Sequence, residues 1–249
     1  MKITAIIPTL NEEIHIEDAI KSVSFADEII VIDSFSNDDT IALAKKQDVT
    51  IIQRVFDDYS TQKNFAIAKA KHEWIYILDA DERVTPALRE EILDCLKDPS
   101  DFVGFHIHRT FYFAGKKINY SGFQHDKVIR LFRKDKCKYN GKIVHERIEA
   151  EGKVGFLKNK IEHYTYRSYD HFITKLNRYA ALKAHILYNK NKRATFFHIL
   201  IKPPFKFFIH YFIRLGFLDG FRGFILSVVL SYGVLARYIK LWLLKHNLD

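Results

Sequence analysis

The chain has 249 residues, 48% apolar and 28% charged, enough to bury a full core, so disorder and small stapled scaffolds are excluded. Its net charge of +9 is uneven: residues 1–100 hold 11 Lys and Arg against 20 Asp and Glu, whereas residues 101–249 hold 28 against 10. Cys95 and Cys137 stand far apart with no C-x-x-C pair, which excludes a disulfide framework and a zinc ribbon and leaves ordinary thiols of a reducing compartment.

The opening Met1-Lys2-Ile3-Thr4 leads into a short apolar run ended by Pro8, without the longer apolar region and cleavage site of a signal peptide. Ile3 to Ile7 reads as a buried strand, and Glu12 to Val23 as a helix with Ile14, Ile16, Ala19, Ile20 and Val23 recurring. Glu28 to Ile32 is a second strand, and Asp38 or Asp39 can cap a helix running to Lys46. Val49 to Gln53 makes a third strand, Thr61 to Lys71 a third helix, and Trp74 to Leu78 a fourth strand. Thr85-Pro86 then starts another helix, with Pro at its first position. Alternating apolar strands and helices predict a mostly parallel α/β sheet with helices on both faces. Phe102 to His108 and Lys127 to Phe132 extend the sheet, and Asp170 to Asn189 is a long helix.

The tail, residues 196–249, is aromatic and basic. Residues 196–224 hold 9 of the 21 Phe, and the tail as a whole has 7 Lys and Arg against 2 Asp. One domain over residues 1–195 is expected, its nucleotide-binding half at 1–100 and its acceptor half at 101–195, followed by a helical segment, 196–249.

In open α/β sheets, ligands bind beyond the carboxyl ends of the strands. Here the first strand is followed by Pro8-Thr9-Leu10-Asn11-Glu12-Glu13, the second by Asp33-Ser34-Phe35-Ser36-Asn37-Asp38, and the fourth by Asp79-Ala80-Asp81-Glu82. Each alone could be turn chemistry, but three polar sets on one edge indicate a site. There is no G-x-G-x-x-G, no G-x-x-x-x-G-K-[ST] and no H-E-x-x-H, so a bound nucleotide must be held by side chains and a metal. Asp79-Ala80-Asp81 is the sharpest feature: paired carboxylates at a strand end suit Mg2+ or Mn2+ on a diphosphate.

The runs Ile6 to Glu13 and Val31 to Thr40, with Gln62-Lys63-Asn64 and Leu78-Asp79-Ala80-Asp81-Glu82, resemble family 2 glycosyltransferases of the GT-A fold. The subgroup most similar contains lipopolysaccharide-core β-glucosyltransferases; Gly216-Phe217-Leu218-Asp219-Gly220 matches it loosely. The resemblance implies a GT-A (Rossmann-like) fold and an inverting transfer of a hexose, glucose in that subgroup, from a UDP-sugar. The acceptor would be a hydroxyl of a lipopolysaccharide-core or other lipid-linked saccharide. It also implies that Pro8, Thr9, Asn11 and Glu12 lie against the nucleotide, with Asp33 on its base or ribose. Lys63 or Asn64 would approach the nucleotide, Asp79 the ribose or the metal, and Asp81 the metal on the diphosphate.

An inverting enzyme needs a base for the acceptor hydroxyl. Glu146, in Lys142-Ile143-Val144-His145-Glu146, is the candidate on its resemblance to the subgroup's His-Glu pair, and Asp126 is the second candidate. His125, His145 and His163 could be metal ligands or packing residues.

The longest uncharged run of the tail, Gly223 to Ala236, has 14 residues, short of the roughly 18 a membrane span needs. Lys202-Pro203-Pro204-Phe205-Lys206-Phe207-Phe208 instead suits a helix lying in the lipid interface, on the inner face of the cytoplasmic membrane. A tail packed on the catalytic domain or a partner subunit is the other option. Two further readings are a nucleotide-sugar nucleotidyltransferase, which would carry a Gly-rich loop after the first strand, and a basic lipid- or nucleic-acid-binding module. The second leaves the acidic strand ends unexplained, and nucleic acid is therefore not expected as a partner.

Overall fold

A computed structural model describes residues 1–123, 126–141, 147–164 and 169–248, without the side chain of residue 171. These residues form two compact units: Met1–Arg109 with Asp126–His163, and Thr110–His125 with Tyr164–Asp249.

The first unit opens with β1 (Ile3–Thr9), α1 (Ile16–Ser22), β2 (Glu28–Asp33), α2 (Thr40–Ala44), β3 (Thr50–Gln53), α3 (Tyr59–Lys69) and β4 (Trp74–Ile77). β5 (Glu82–Arg83) and α4 (Pro86–Lys97) follow. The sheet runs β3-β2-β1-β4, all parallel, with Ile6 of β1 beside both Ile30 and Ile77. Alternation along the strands feeds two cores. Ile3, Ala5 and Ile7 pack with Ile16 and Ile20 of α1 and Leu88 and Ile92 of α4. Ile6, Ile30, Ile32 and Ile77 pack on the other face with Ala66 and Ile67 of α3. Helices therefore cover both faces, as expected of a buried parallel sheet.

Two helices are shorter than their sequence pattern. The first begins at Ile16, not Glu12, because the Glu12 and Glu13 amides donate to Thr40 and Asp38 of the neighbouring loop. The second stops at Ala44; Asp39 is its N-cap but makes no side-chain bond, while Asp38 accepts from the Thr40 amide. Thr85 caps α4 as expected, its hydroxyl accepting from the Leu88 amide at 3.2 Å.

After α4 come β6 (Phe102–Phe113), β7 (Lys116–Ile118), β8 (Lys127–Arg133), β9 (Cys137–Tyr139), β10 (Ile148–Ala150), β11 (Lys153–Phe156) and β12 (Ile161–His163). β8 and β6 extend the sheet as expected, but they enter it antiparallel. β9 and β10 form a separate hairpin, and β12 pairs with β5.

In the second unit, the end of β6 pairs with β7, and the helices are α5 (Tyr169–Asn189), α6 (Phe196–Leu200), α7 (Lys202–Phe208) and α8 (Gly220–Lys245). A π-helical turn (Ile209–Ile213) and a 3-10 turn (Gly216–Asp219) join α7 to α8. α5 and α7 pack along α8, and Gly233 makes room for Leu176, whose side chain a Cβ would meet at 2.7 Å. α5 falls in the same compact unit as the tail. α8 continues through Arg222 and Arg237, and the stretch Gly216–Lys245 is, by length and composition, long and apolar enough to cross a membrane.

Candidate active site

The sheet order reverses at β1, with β2 and β3 on one side and β4 on the other. Ligands of open α/β sheets bind at such a switch point, beyond the carboxyl ends of the strands. Thr9 ends β1, Asp33 ends β2, and Asp79 lies two residues after β4. Pro8 lies opposite Ile32 and Thr9 opposite Asp33 in the β1–β2 register.

The loops after β1 and β2 are laced together. Asn11, at φ 56°, accepts through Oδ1 from the Asn37 amide at 2.8 Å, and its own amide donates to Ser36 Oγ at 2.8 Å. The Glu12 amide donates to Thr40 Oγ1 at 2.7 Å, and Glu13 Oε2 accepts from the Asp39 amide at 3.1 Å. Asp33 is fully buried and accepts from the Ser36 amide at 3.1 Å and from Gln53 Nε2 at 3.0 Å. Its carboxylate thus shapes the loop that would face a base or ribose. The buried Thr9 hydroxyl has no hydrogen-bond partner among the described residues.

From the β4 end, charges alternate in a continuous chain. Lys63 Nζ lies 3.6 Å from Asp79 Oδ1, and Arg130 Nη2 bonds Asp79 Oδ2. Arg130 Nη2 also bonds Glu82 Oε1 at 2.7 Å; Glu82 Oε1 lies 3.6 Å from Arg109 Nε, which lies 3.5 Å from Asp126 Oδ2. Burial pushes the Asp79 carboxyl up, but Arg130, Lys63 and Arg109 outweigh it and hold it well below its ordinary value. Burial likewise opposes the Arg130 charge, which Asp79 and Glu82 nevertheless stabilise. Lys63 also sits over the Tyr139 ring, 5.1 Å from its centre.

Asn64 has its amide engaged at both ends by β9: Nδ2 donates to the Tyr139 carbonyl and Oδ1 accepts from the Tyr139 amide, each at 3.0 Å. Of the expected pair it is Lys63 that reaches the Asp79 carboxylate. Gln62 donates to Ser34 Oγ at 3.0 Å and accepts from Arg54 Nη1 at 3.0 Å.

Asp81 faces His163. Its Oδ2 lies 3.4 Å from His163 Nε2, brought there by the β5–β12 pairing of Glu82 with His163. Among the described residues, no three His, Cys, Asp or Glu gather into an all-protein metal cage. A divalent cation held largely by phosphate oxygens needs only one or two protein ligands, and the Asp81–His163 pair fits that demand. Asp79 fits it poorly, because both its oxygens face cations.

Asp126 is half exposed and joined to the chain through Arg109. Glu146, His145 and His125 lie outside the described residues. Arg130, Arg109 and the buried role of Glu82 were not foreseen. The signal available was an arginine between Ile129 and Leu131, in the middle of an apolar strand. Neither cysteine is paired, and burial pushes the Cys137 thiol up to about 11.

The family model described as glycosyl transferase family 2 matches residues 4–147, more than half the chain and every described residue of the charge chain. The chain belongs to glycosyltransferase family 2. It is 31% identical over 227 residues to the lipopolysaccharide core biosynthesis glycosyltransferase LpsC of Rhizobium meliloti (strain 1021), covering 88% of this chain and 82% of that protein. An uncharacterized glycosyltransferase of Rickettsia felis is 29% identical over 99% of this chain and 90% of its own length. Among solved structures, glucosyl-3-phosphoglycerate synthase from Mycobacterium tuberculosis, crystallised with Mn2+ and UDP, is 24% identical with a TM-score of 0.39. That alignment covers 46% of this chain and 45% of the synthase. Membership of the family sets aside the nucleotidyltransferase and the non-enzymatic readings.

Proposed function

We propose that this glycosyltransferase is inverting and metal-dependent, and moves a hexose, glucose in the subgroup it resembles, from a UDP-sugar. The acceptor is a hydroxyl of a lipopolysaccharide-core or other lipid-linked saccharide, met at the cytoplasmic face of the membrane. The observation that carries this reading is the convergence of Thr9, Asp33 and Asp79 beyond the carboxyl ends of three adjacent parallel strands. The lipopolysaccharide-core relative supports the acceptor class.

In this reading the laced loops after β1 and β2, with Thr9 and Asn11, bound the nucleoside. Lys63 and Asp79 orient the ribose and diphosphate side, the Lys63 charge being held in place by Asp79 and the Tyr139 ring. Asp81 and His163 would hold Mg2+ or Mn2+, which offsets the charge of the leaving diphosphate. Glu146, or failing it Asp126, takes the proton of the acceptor hydroxyl as its oxygen attacks the anomeric carbon. The bond to the diphosphate breaks on the opposite face.

The second unit supports the membrane side of the reading. Phe196, Phe205, Phe208, Phe212, Phe217 and Phe221 are exposed, within a stretch that also carries Lys202, Lys206, Arg214 and Arg222. α8 is read as lying with its unit on the surface, since Leu226, Val229, Val234 and Leu241 are buried in the packing of the second unit.

A panel of UDP- and GDP-sugars, each with and without Mn2+, tests the proposal. Thermal stabilisation and slow hydrolysis by UDP-glucose that need the metal are expected. Stabilisation by no UDP-sugar, or equally without metal, overturns it.

A further inference from the structure

The second unit is almost without negative charge. Its described carboxylates are Asp170 and Asp219, and Asp219 is committed to the backbone, accepting from the Asn119 and Tyr120 amides at 3.0 and 2.9 Å. Against them stands a group of cations from separate elements: Lys183 on α5, Lys206 on α7, Arg214 after the π-helical turn, and Arg237 on α8. Because α5 and α7 both pack along α8, these charges are gathered rather than spread. None of the four has an ion-pair partner among the described residues.

Two further observations point to a missing anion. The Nε atom of Arg237 is buried and has no acceptor among the described residues. Burial, then Arg214, Arg237 and Lys183, push the Lys206 ammonium below its ordinary value, and burial with Arg237 does the same to Lys183. Proteins seldom gather withdrawn like charges unless something of opposite sign visits them. Every charged neighbour of Lys206 named here is a cation, and the nearby His210 is held neutral, pushed down to about 4 by burial and by Lys206.

We infer that Lys183, Lys206, Arg214 and Arg237 form a binding site for the phosphate of an anionic membrane lipid. Arginine donors match phosphate oxygens in a fork, and the lysines add point charge. The choice of a lipid over a soluble phosphate comes from the rim. The same helical stretch that carries Lys206 and Arg214 exposes Phe205, Phe208, Phe212 and Ile213. Aromatic and aliphatic side chains around a cationic cluster suit the boundary between headgroups and acyl chains. The inference rests on the membrane-facing part of the reading above and is independent of the donor site in the first unit.

The full chain is tested by flotation with vesicles of phosphatidylcholine alone or of equal parts phosphatidylcholine and phosphatidylglycerol. Wild type should bind the anionic vesicles far better. K206Q/R237Q should lose about thirtyfold in binding them, at roughly fivefold per charge near an anionic surface. Without lipid the same variant should melt no lower than wild type, because repulsion is relieved; a purely structural role would lower its melting temperature. F205S/F208S should weaken binding to both vesicle types. Equal binding of K206Q/R237Q and wild type to anionic vesicles overturns the site. So does a site that takes soluble phosphate alone, shown by K206Q/R237Q losing the thermal stabilisation that inorganic pyrophosphate gives wild type while floating with anionic vesicles as wild type does. UDP and Mn2+ binding by each variant is measured in parallel, so loss of donor binding by wild type would count against the proposed activity and leave the lipid site standing.

Discussion

Arg130 and Glu82 meet where neither touches solvent: Arg130 Nη2 lies 2.7 Å from a carboxylate oxygen of Glu82, whose side chain is fully buried. The pair joins β8 to β5, and through Arg130 it also holds Asp79. Glu82 in turn accepts from the Asp79 amide at 3.1 Å, so both the backbone and the carboxylate of Asp79 are positioned by this one pair.

Removing one partner leaves the other charge buried and unmatched. Arg130→Met is expected to destabilise the protein by about 3–5 kcal/mol in chemical denaturation. The double variant Glu82→Gln with Arg130→Met should lose less than the sum of the singles, since the two residues are in contact. An additive double variant would show that the pair is not coupled.

The parallel half of the fold was legible because each strand is a short apolar run and each following helix has its own periodicity and cap. The antiparallel entry of β8 and β6 was not, since strand direction is set by the connection between them and not by residue pattern. At the site, Thr9, Asp33, Asp79 and Asp81 could be found as polar residues following apolar strands. The bond from Asn64 to β9 was not legible, because its partner Tyr139 lies 75 residues away and no local pattern announces the pairing. In the tail, Arg222 and Arg237 lie inside one continuous helix, α8, that packs along α5 and α7.

Asp81 and His163 carry the metal prediction. Asp81→Ala should abolish metal-dependent UDP binding while the thermal midpoint stays near wild type. His163→Ala should weaken Mn2+ binding without abolishing UDP contact. Calorimetric titration of UDP with and without Mn2+ reads both. Unchanged metal-dependent binding by Asp81→Ala would remove the D-x-D argument.

The two candidate bases separate by kinetics. Glu146→Gln keeps the shape but cannot accept a proton, so turnover should fall by roughly 10² or more with donor affinity little changed. Asp126→Asn should instead disturb the partner of Arg109 and lower turnover modestly. If the asparagine variant shows the large loss and the glutamine variant does not, the base is Asp126.

The last prediction concerns acid stability of the second unit. His210 is buried, its Nδ1 lies 2.6 Å from the Ser121 carbonyl oxygen, and its pKa is pushed down to about 4 from 6.5, by burial first and then by Lys206. Between those two values the unfolded chain binds a proton that the folded chain refuses. Stability from this group is therefore complete above pH 6.5, falls as the pH drops, and is lost below about 4. The full effect is on the order of 3 kcal/mol at 1.36 kcal/mol per unit. Thermal unfolding in the absence of lipid should show a decline of stability from pH 6.5 to 4 that His210→Gln flattens, even if the variant is less stable at neutral pH. Parallel pH profiles for the two proteins would mean that the imidazole is not held neutral in the folded state.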